Sequence, residues 1–487
     1  MVRFIELFEP PHWLILVCCI VAFASSCKPE DEKLDPSPGK SVTFSSDTIM
    51  FDTVFTEQTT ITQRLRLYNP NRKAIILSSV QMENPSSPFS IVVNGKAGPI
   101  ANVEVLGGDS IYILLKAVLA PSLQDTAFLT QDRLIVRVKG RSDFQKVIVQ
   151  AYGQDANYLN EVTLPLGITI WDSPKPYFVY NNLLVPPGAN LIIKPGVRIN
   201  SYKNNVFVVN GSITIQGSPT RPVRFSGNRI EPYYNTVPDQ WGAIYLTDSA
   251  VGCQIDWAII QNGSRGVQVG APNGRNKVSL QIRNTIIRNM SDVGLYGFNA
   301  SITGSNISIS DCGQFNLAGL QGGSYAFAHI TTSYSGNNPF NRRNPSVAFT
   351  TFYEDREAGR VYTAPLALTI VNSILTGSEE EEFVIANVAG GPAIDTAGRV
   401  KNNVITSKAN TYTTKGNQSI NGSFRFHKPF DYNFYPDSVG ESVAKKKGLK
   451  LADFPTTDID VEDLKADLAN KLRPEDTPTI GAFQQYY

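Results

Sequence analysis

The sequence predicts an all-β chain in two parts, an antiparallel sandwich over residues 41–155 followed by stacked turns of short parallel strands over 158–487. Three observations carry this. Turn-forming residues, 37 Gly and 30 Pro, are spread along the whole chain and cut its apolar runs short. Helical spacing is confined to one stretch, Asp458–Lys471. From Tyr158 onward related segments recur. GANLIIKPGVRI, starting at Gly188, aligns with GSITIQGSPTRPVRF, starting at Gly211, and Ile260, Ile287 and Ile309 follow one another at steps of 27 and 22 residues.

The first part alternates apolar and polar residues at 41–44, 60–68, 74–80, 110–115, 133–138 and 146–151, with Asn-Pro, Gly-Gly and Lys-Gly turns between. That spacing suits two packed antiparallel sheets. ITQRLRLYNPNRKAIILSSVQM is similar to the opening of Ig-like domains found beside repeat domains in bacterial surface proteins.

In the second part, strands of a few residues need a partner that saturates their backbone without a covering helix. A right-handed single-stranded parallel β-helix supplies it, because each strand pairs with its equivalent one turn further on. Ile193 and Val197 then point inward, and Pro195-Gly196 makes the corner between them. Asn262, Asn289 and Asp311 fall at one equivalent corner and predict a polar ladder, with Met290 and Cys312 stacked inside. The segment YFVYNNLLVPPGANLIIKPGVRI, the turn Pro222–Gly227 and the step Trp241-Gly242 resemble bacterial β-helix repeat proteins of the pectin-lyase-like fold. FDYNFYPDSV and TIGAFQQYY resemble the closing coil of such proteins, although Asp437-Ser438-Val439 stands where Ser-Pro is usual.

Residues 1–26 predict a secretory signal peptide: Arg3, then the apolar run WLILVCCIVAFA, shorter than the ~20 residues of a membrane span. Ser25-Ser26-Cys27 resembles the lipobox of bacterial lipoproteins, which implies lipidation of Cys27. The polar tether 27–40, KPEDEKLDPSPGK after the Cys, resembles the surface-export signal of Bacteroidetes lipoproteins. The expected location is the outer membrane or cell surface, held by lipid. Net charge is +1, which gives no basis for nucleic acid as a partner. Cys253 and Cys312 read as buried thiols, and His329 as a wall residue.

No metal or catalytic motif is expected. If the chain were a polysaccharide lyase or glycoside hydrolase, as the resemblance allows, Asp292 and Asp311 would be the carboxylates and Arg342 or Arg343 the base. Ca²⁺, with Glu379, Glu380, Glu381 and Glu382 as ligands, enters only under that lyase alternative. Otherwise Arg342 and Arg343 pair with Glu354 and Asp355 inside their loop, and the four glutamates are a solvated loop. Two loops leave the repeat, 229–240 and 335–360. Tyr233, Tyr234 and Trp241 lie on or beside the first and are candidate sugar-binding rings, Trp241 with an alternative as a packing residue. The expected function is a non-catalytic recognition or display scaffold for a polysaccharide or another surface protein. The alternatives are the enzyme above and a structural spacer.

Overall fold

The computed structural model describes residues 33–274, 277–336, 341–396, 398–409, 412–422, 424–439, 441–455 and 458–484. The predicted signal peptide, Cys27 and the first part of the tether lie outside the described residues. The chain is all-β, and it divides into two units. The first runs to Asp52 and includes Glu57–Ala120 and Phe128–Gly153; the second holds Thr53–Thr56, Pro121–Ala127 and everything from Gln154.

The first unit contains two five-stranded antiparallel sheets. In SIYILLKA, Ser110–Ala117, every second residue is buried, as a sheet with one core face requires. Phe51 and Phe89, from different sheets, stack with ring centroids 6.0 Å apart.

In the opening turns of the second unit each strand pairs in parallel with the third strand after it, which generates three ladders. Ladder I begins Asn157–Leu159, Tyr177–Val179, Arg198–Ser201, Val223–Gly227, Ala258–Gln261. Ladder II begins Val162–Thr163, Leu183–Val185, Val206–Val209, Ala243–Leu246, Val267–Val269. Ladder III begins Gly167–Trp171, Ala189–Ile193, Ser212–Gln216, Cys253–Asp256. Inward side chains form continuous columns. In ladder I, Ile199, Phe225, Ile260, Ile287 and Ile309 are successive partners, each at most 1% exposed. All three ladders contribute to one apolar core. Ile193 and Val197 are in it, and Gly196 between them has φ +86°, a conformation that costs glycine nothing.

Further along, the ladders fuse into strands as long as Phe315–Ser333. These bend at single left-handed residues, Asn284, Asn306 and His329, and Asn372 holds the same corner between two shorter strands; all four have φ between 48° and 53°. Asn tolerates that region better than most residues, because its short amide hydrogen-bonds locally. A second corner carries the predicted polar ladder. Asn262, Asn289 and Asp311 are left-handed and buried, and Asn289 Nδ2 donates to Asn262 Oδ1 at 2.6 Å.

The end of the chain differs from its expected form. Stacking stops at the pairing of Val404–Thr406 with Gln418–Ile420. An antiparallel pair, Phe426–Lys428 with Asn433–Pro436, then packs Phe426 and Phe434 on Ile374 and Val404. From there the chain runs back along the corner between ladders III and I. Leu449 N donates to Asn372 Oδ1 (2.6 Å), Leu451 and Leu464 pack on Ala326 and Ala328, and Asp463 O accepts from Asn306 Nδ2 (3.0 Å). Arg473 ties this strap down, donating to Asn306 Oδ1 and to the carbonyls of Leu464, Ala466, Gly481 and Ala482. The helix expected at Asp458–Lys471 is therefore absent; only Val461–Leu464 turns, as a 3-10 helix capped by Asp460. Its apolar residues do face one side, but the partner is an extended wall whose corner amides need the strap's own carbonyls. Local helical bonding would take those carbonyls away.

His329 is a corner residue rather than an unpartnered wall residue. Its Nδ1–H donates to Gly481 O (3.2 Å), and its Nε2 accepts from Asn372 Nδ2 (3.1 Å), a pairing that suits the neutral ring. Burial, with the neighbouring Arg473 charge, holds its pKa well below the usual 6.5. The unfolded chain takes up a proton there that the folded chain refuses, so His329 lowers stability as pH falls below 6.5. Denaturant midpoints at about pH 7.5 and about pH 5.5 check this: the drop in the wild type shrinks in His329→Asn, which keeps the left-handed corner.

Candidate ligand-binding surface

Loop 229–240 joins ladder I to ladder II. It is a short 3-10 turn, Pro232–Thr236, pinned at both ends. Gln240 Nε2 donates to the carbonyls of Tyr234 and Val237, both at 2.7 Å, and the corner amide of Asn262 donates to those of Tyr234 and Asn235. Arg229 pairs with the buried Glu231 and lies 4.6 Å over the Tyr234 ring. Tyr233, 76% exposed, meets Tyr234 edge-on at 5.1 Å. The loop thus presents one free ring on a rigid base.

Next to it lies a polar cluster on the outer side of ladder II. Ser291 Oγ donates to Asp239 Oδ1 (3.2 Å), and Arg265 Nε donates to Asp292 Oδ2 (2.7 Å) and Nη1 to Gln268 Oε1 (2.7 Å). Tyr245, Gln268 and Tyr296 are ladder partners pointing outward, and Arg265 stands 5.9 Å from the Tyr296 ring. Burial, with the adjacent Asp292 charge, pushes the Tyr296 phenol up, so it stays a neutral donor. Phe298 carries the surface on to Tyr353, whose ring meets it edge-on at 5.1 Å in the hairpin Phe352–Asp355 with Arg360–Thr363.

The predicted residues divide sharply. Tyr233 and Tyr234 reach this surface. Trp241 does not: it is 1% exposed, packed between Phe207 and Phe225, with Nε1 donating to Gln261 O at 2.9 Å. Its packing role replaces the sugar-binding one. The glycine beside it is required, since a Cβ at Gly242 would stand 2.7 Å from Asn205 O. Asp292 and Asp311 have separate surroundings: Asp292 is partly exposed on Arg265, whereas Asp311 is buried and accepts from Ser335 N at 2.8 Å. Burial raises the Asp311 pKa.

Arg342 is not a surface base, nor is it paired within its loop. It makes two 2.8 Å bonds to Glu382, with side chains 3% and 0% exposed. Arg343 is exposed beside it. The four glutamates do not converge on a cation. Glu382 is taken by Arg342, Glu381 accepts from Ser407 Oγ and Ala409 N, Glu380 pairs with Lys408, and Glu379 accepts from Ser378. Among the described residues no three His, Cys, Asp or Glu side chains stand together as metal ligands. Cys253 and Cys312 are buried thiols.

Arg265, Gln268 and Tyr296 are not among the residues singled out from sequence. The signal was present, because Arg265 and Asp292 are 27 residues apart, the same step as Ile260 to Ile287.

No family model and no curated protein matches this chain. Solved structures align only in part. They include a family 123 glycoside hydrolase from Clostridium perfringens (6% identity, 25% of this chain and 30% of that one, TM-score 0.18). A protein of unknown function from Porphyromonas gingivalis aligns at 13% identity over 25% of this chain and 59% of that one, TM-score 0.19. The E. coli chaperone DraB aligns at 10% identity over 25% and 58%, TM-score 0.17. This chain spans less than two thirds of each of these three.

Proposed function

We propose that the chain is a lipid-anchored surface protein, attached through Cys27, with an Ig-like sandwich carrying a right-handed parallel β-helix that recognises glycans without cleaving them. The parallel pairing of the early strands, each with the third one after it, supports the β-helix reading, and the two antiparallel sheets support the sandwich. One observation carries the function. On the outer side of ladder II and its adjoining loop, Arg265 is paired with Asp292 and Arg229 with Glu231, and Asp239 accepts from Ser291, while phenols and an open ring remain outward. Lyase or hydrolase chemistry needs carboxylates or a base free to act on substrate. Sugar recognition needs ring faces and hydrogen-bonding groups held rigidly.

A polysaccharide array scored for retention and for new reducing or unsaturated ends tests this. Retention without cleavage is expected. Tyr233→Ala with Tyr234→Ala weakens it about tenfold, at about 0.5–1.5 kcal/mol per ring. New chain ends would favour the enzyme, and neither retention nor cleavage would favour a spacer.

A further inference from the structure

Ladder I shows a second surface, distinct from the tyrosine loop and the Arg265 cluster. Its outward residues form two rows. One runs Arg198, Arg224, Ile259, Ile286, each the ladder partner of the next. The other holds Asn200 and Ser226, then Gln261 and Arg288. Arg221, at the corner just before Arg224, joins them. Arg198, Arg221 and Arg224 are exposed, and Arg288 is half-buried.

None of these four guanidinium groups has an ion-pair partner among the described residues. Arg198 Nη2 donates to Pro174 O (3.0 Å) and Arg221 Nη2 to Pro195 O (2.7 Å), each reaching back about one turn of the stack. Arg288 donates twice to Gln261 Oε1 (3.0 and 2.7 Å) and lies 4.2 Å over the Tyr432 ring. Neutral acceptors orient Arg198, Arg221 and Arg288 without forming an ion pair. Burial and the nearby Arg224 charge both lower the Arg288 pKa, with Asp311 and Tyr432 acting against them.

The surface has defined limits. Past Arg288, the outward Ser308 and Ser310 are buried, and Ile374 and Val404 are covered by the C-terminal hairpin. Tyr432 therefore marks one end. The span from Arg198 to Arg288 is three ladder steps of about 4.8 Å, about 14 Å along the stack. Between the cations lies an apolar strip, Ile259 and Ile286, which suits the faces of sugar rings. Four arginines around such a strip fit forked hydrogen bonding to carboxylates or sulfates. Four arginines without an ion-pair partner among the described residues give this short wall a local positive charge, in a chain whose net charge is only +1.

We infer that the outer wall of ladder I binds an acidic polysaccharide, through carboxylate or sulfate groups held by Arg198, Arg221, Arg224 and Arg288. The inference rests on the glycan-recognition reading and adds a second surface whose own ligand is acidic. The test measures binding of the chain to polygalacturonate, dextran sulfate, neutral dextran and phosphatidylglycerol vesicles over a range of salt. Expected are binding to at least one acidic polymer and weaker binding as salt rises. Arg221→Gln with Arg224→Gln then lowers the acidic-polymer affinity at least about tenfold, and Lys replacements restore part of it. Salt-dependent binding of acidic polymer and its loss in the Arg variant are scored apart from the array retention lost in Tyr233→Ala with Tyr234→Ala, so this inference and the tyrosine-surface reading fail separately. Equal retention of neutral dextran overturns the inference, as does full affinity in the double Gln variant. Binding confined to the vesicles overturns the assignment to a polysaccharide. Unchanged circular dichroism and melting of the exposed-arginine variants show that a lost affinity is not lost folding.

Discussion

Arg342→Met lowers the unfolding free energy by about 3–5 kcal/mol, because it leaves the Glu382 carboxylate buried without its cation. That carboxylate is a hub. Besides the two guanidinium bonds it accepts from Ser346 N (2.6 Å) and Glu379 N (2.5 Å), so one side chain fastens the 335–360 loop and the segment just before Glu382 to the stack. A Cβ at Gly377 would stand 2.1 Å from Arg342 Nη2, so the surrounding loop leaves the pair no slack. Denaturant titration of wild type and variant measures the loss. The double variant Arg342→Met, Glu382→Leu recovers much of it, since an apolar pair in place of a buried ion pair is often neutral or stabilising. A single variant as stable as the wild type would mean that the pair is solvated in solution.

Trp241→Ala costs about 3–5 kcal/mol through the cavity it opens between Phe207 and Phe225 and the Gln261 carbonyl it strands. The same substitution at an exposed ligand-stacking ring would weaken binding and leave stability almost untouched. Melting and glycan retention, measured together on Trp241→Ala and on Tyr233→Ala, separate the two roles. Trp241→Ala shifts melting strongly, whereas Tyr233→Ala shifts retention alone.

The contrast between these rings shows where sequence reading succeeds. Trp241 and Tyr233 are both large, aromatic and next to an irregular loop, and only the closure of the stack around Phe207 and Phe225 distinguishes them. Inward columns were legible because burial repeats with the period of the strand and of the turn: Ile260, Ile287 and Ile309 announce themselves at steps of 27 and 22. Corner residues were legible for a similar reason, since a left-handed backbone selects Asn at Asn262 and Asn289. Outward positions carry no such constraint. The arginines of ladder I and the Arg265–Asp292 pair are variable positions in the repeat, and they acquire meaning only when neighbouring turns are laid side by side.

The strap illustrates the same limit from the other direction. Asp458–Lys471 has the residues of a helix, and the local pattern alone favours one. What it lacks is any sign that Asn306, 150 and more residues earlier, needs the carbonyls of Asp463 and Ala466.

The chain by itself determined that it would be all β, where its texture changes, which residues turn inward and which corners need Asn or Gly. These follow from backbone geometry and hydrophobic periodicity, which act within a turn or between equivalent positions. Tertiary structure alone decided that Arg342 reaches Glu382, that Trp241 is enclosed, that the last residues run back over a corner, and that four arginines share one wall. Each of these depends on which segments become neighbours, and charges and amides find partners by distance in space, for which separation along the chain is no guide.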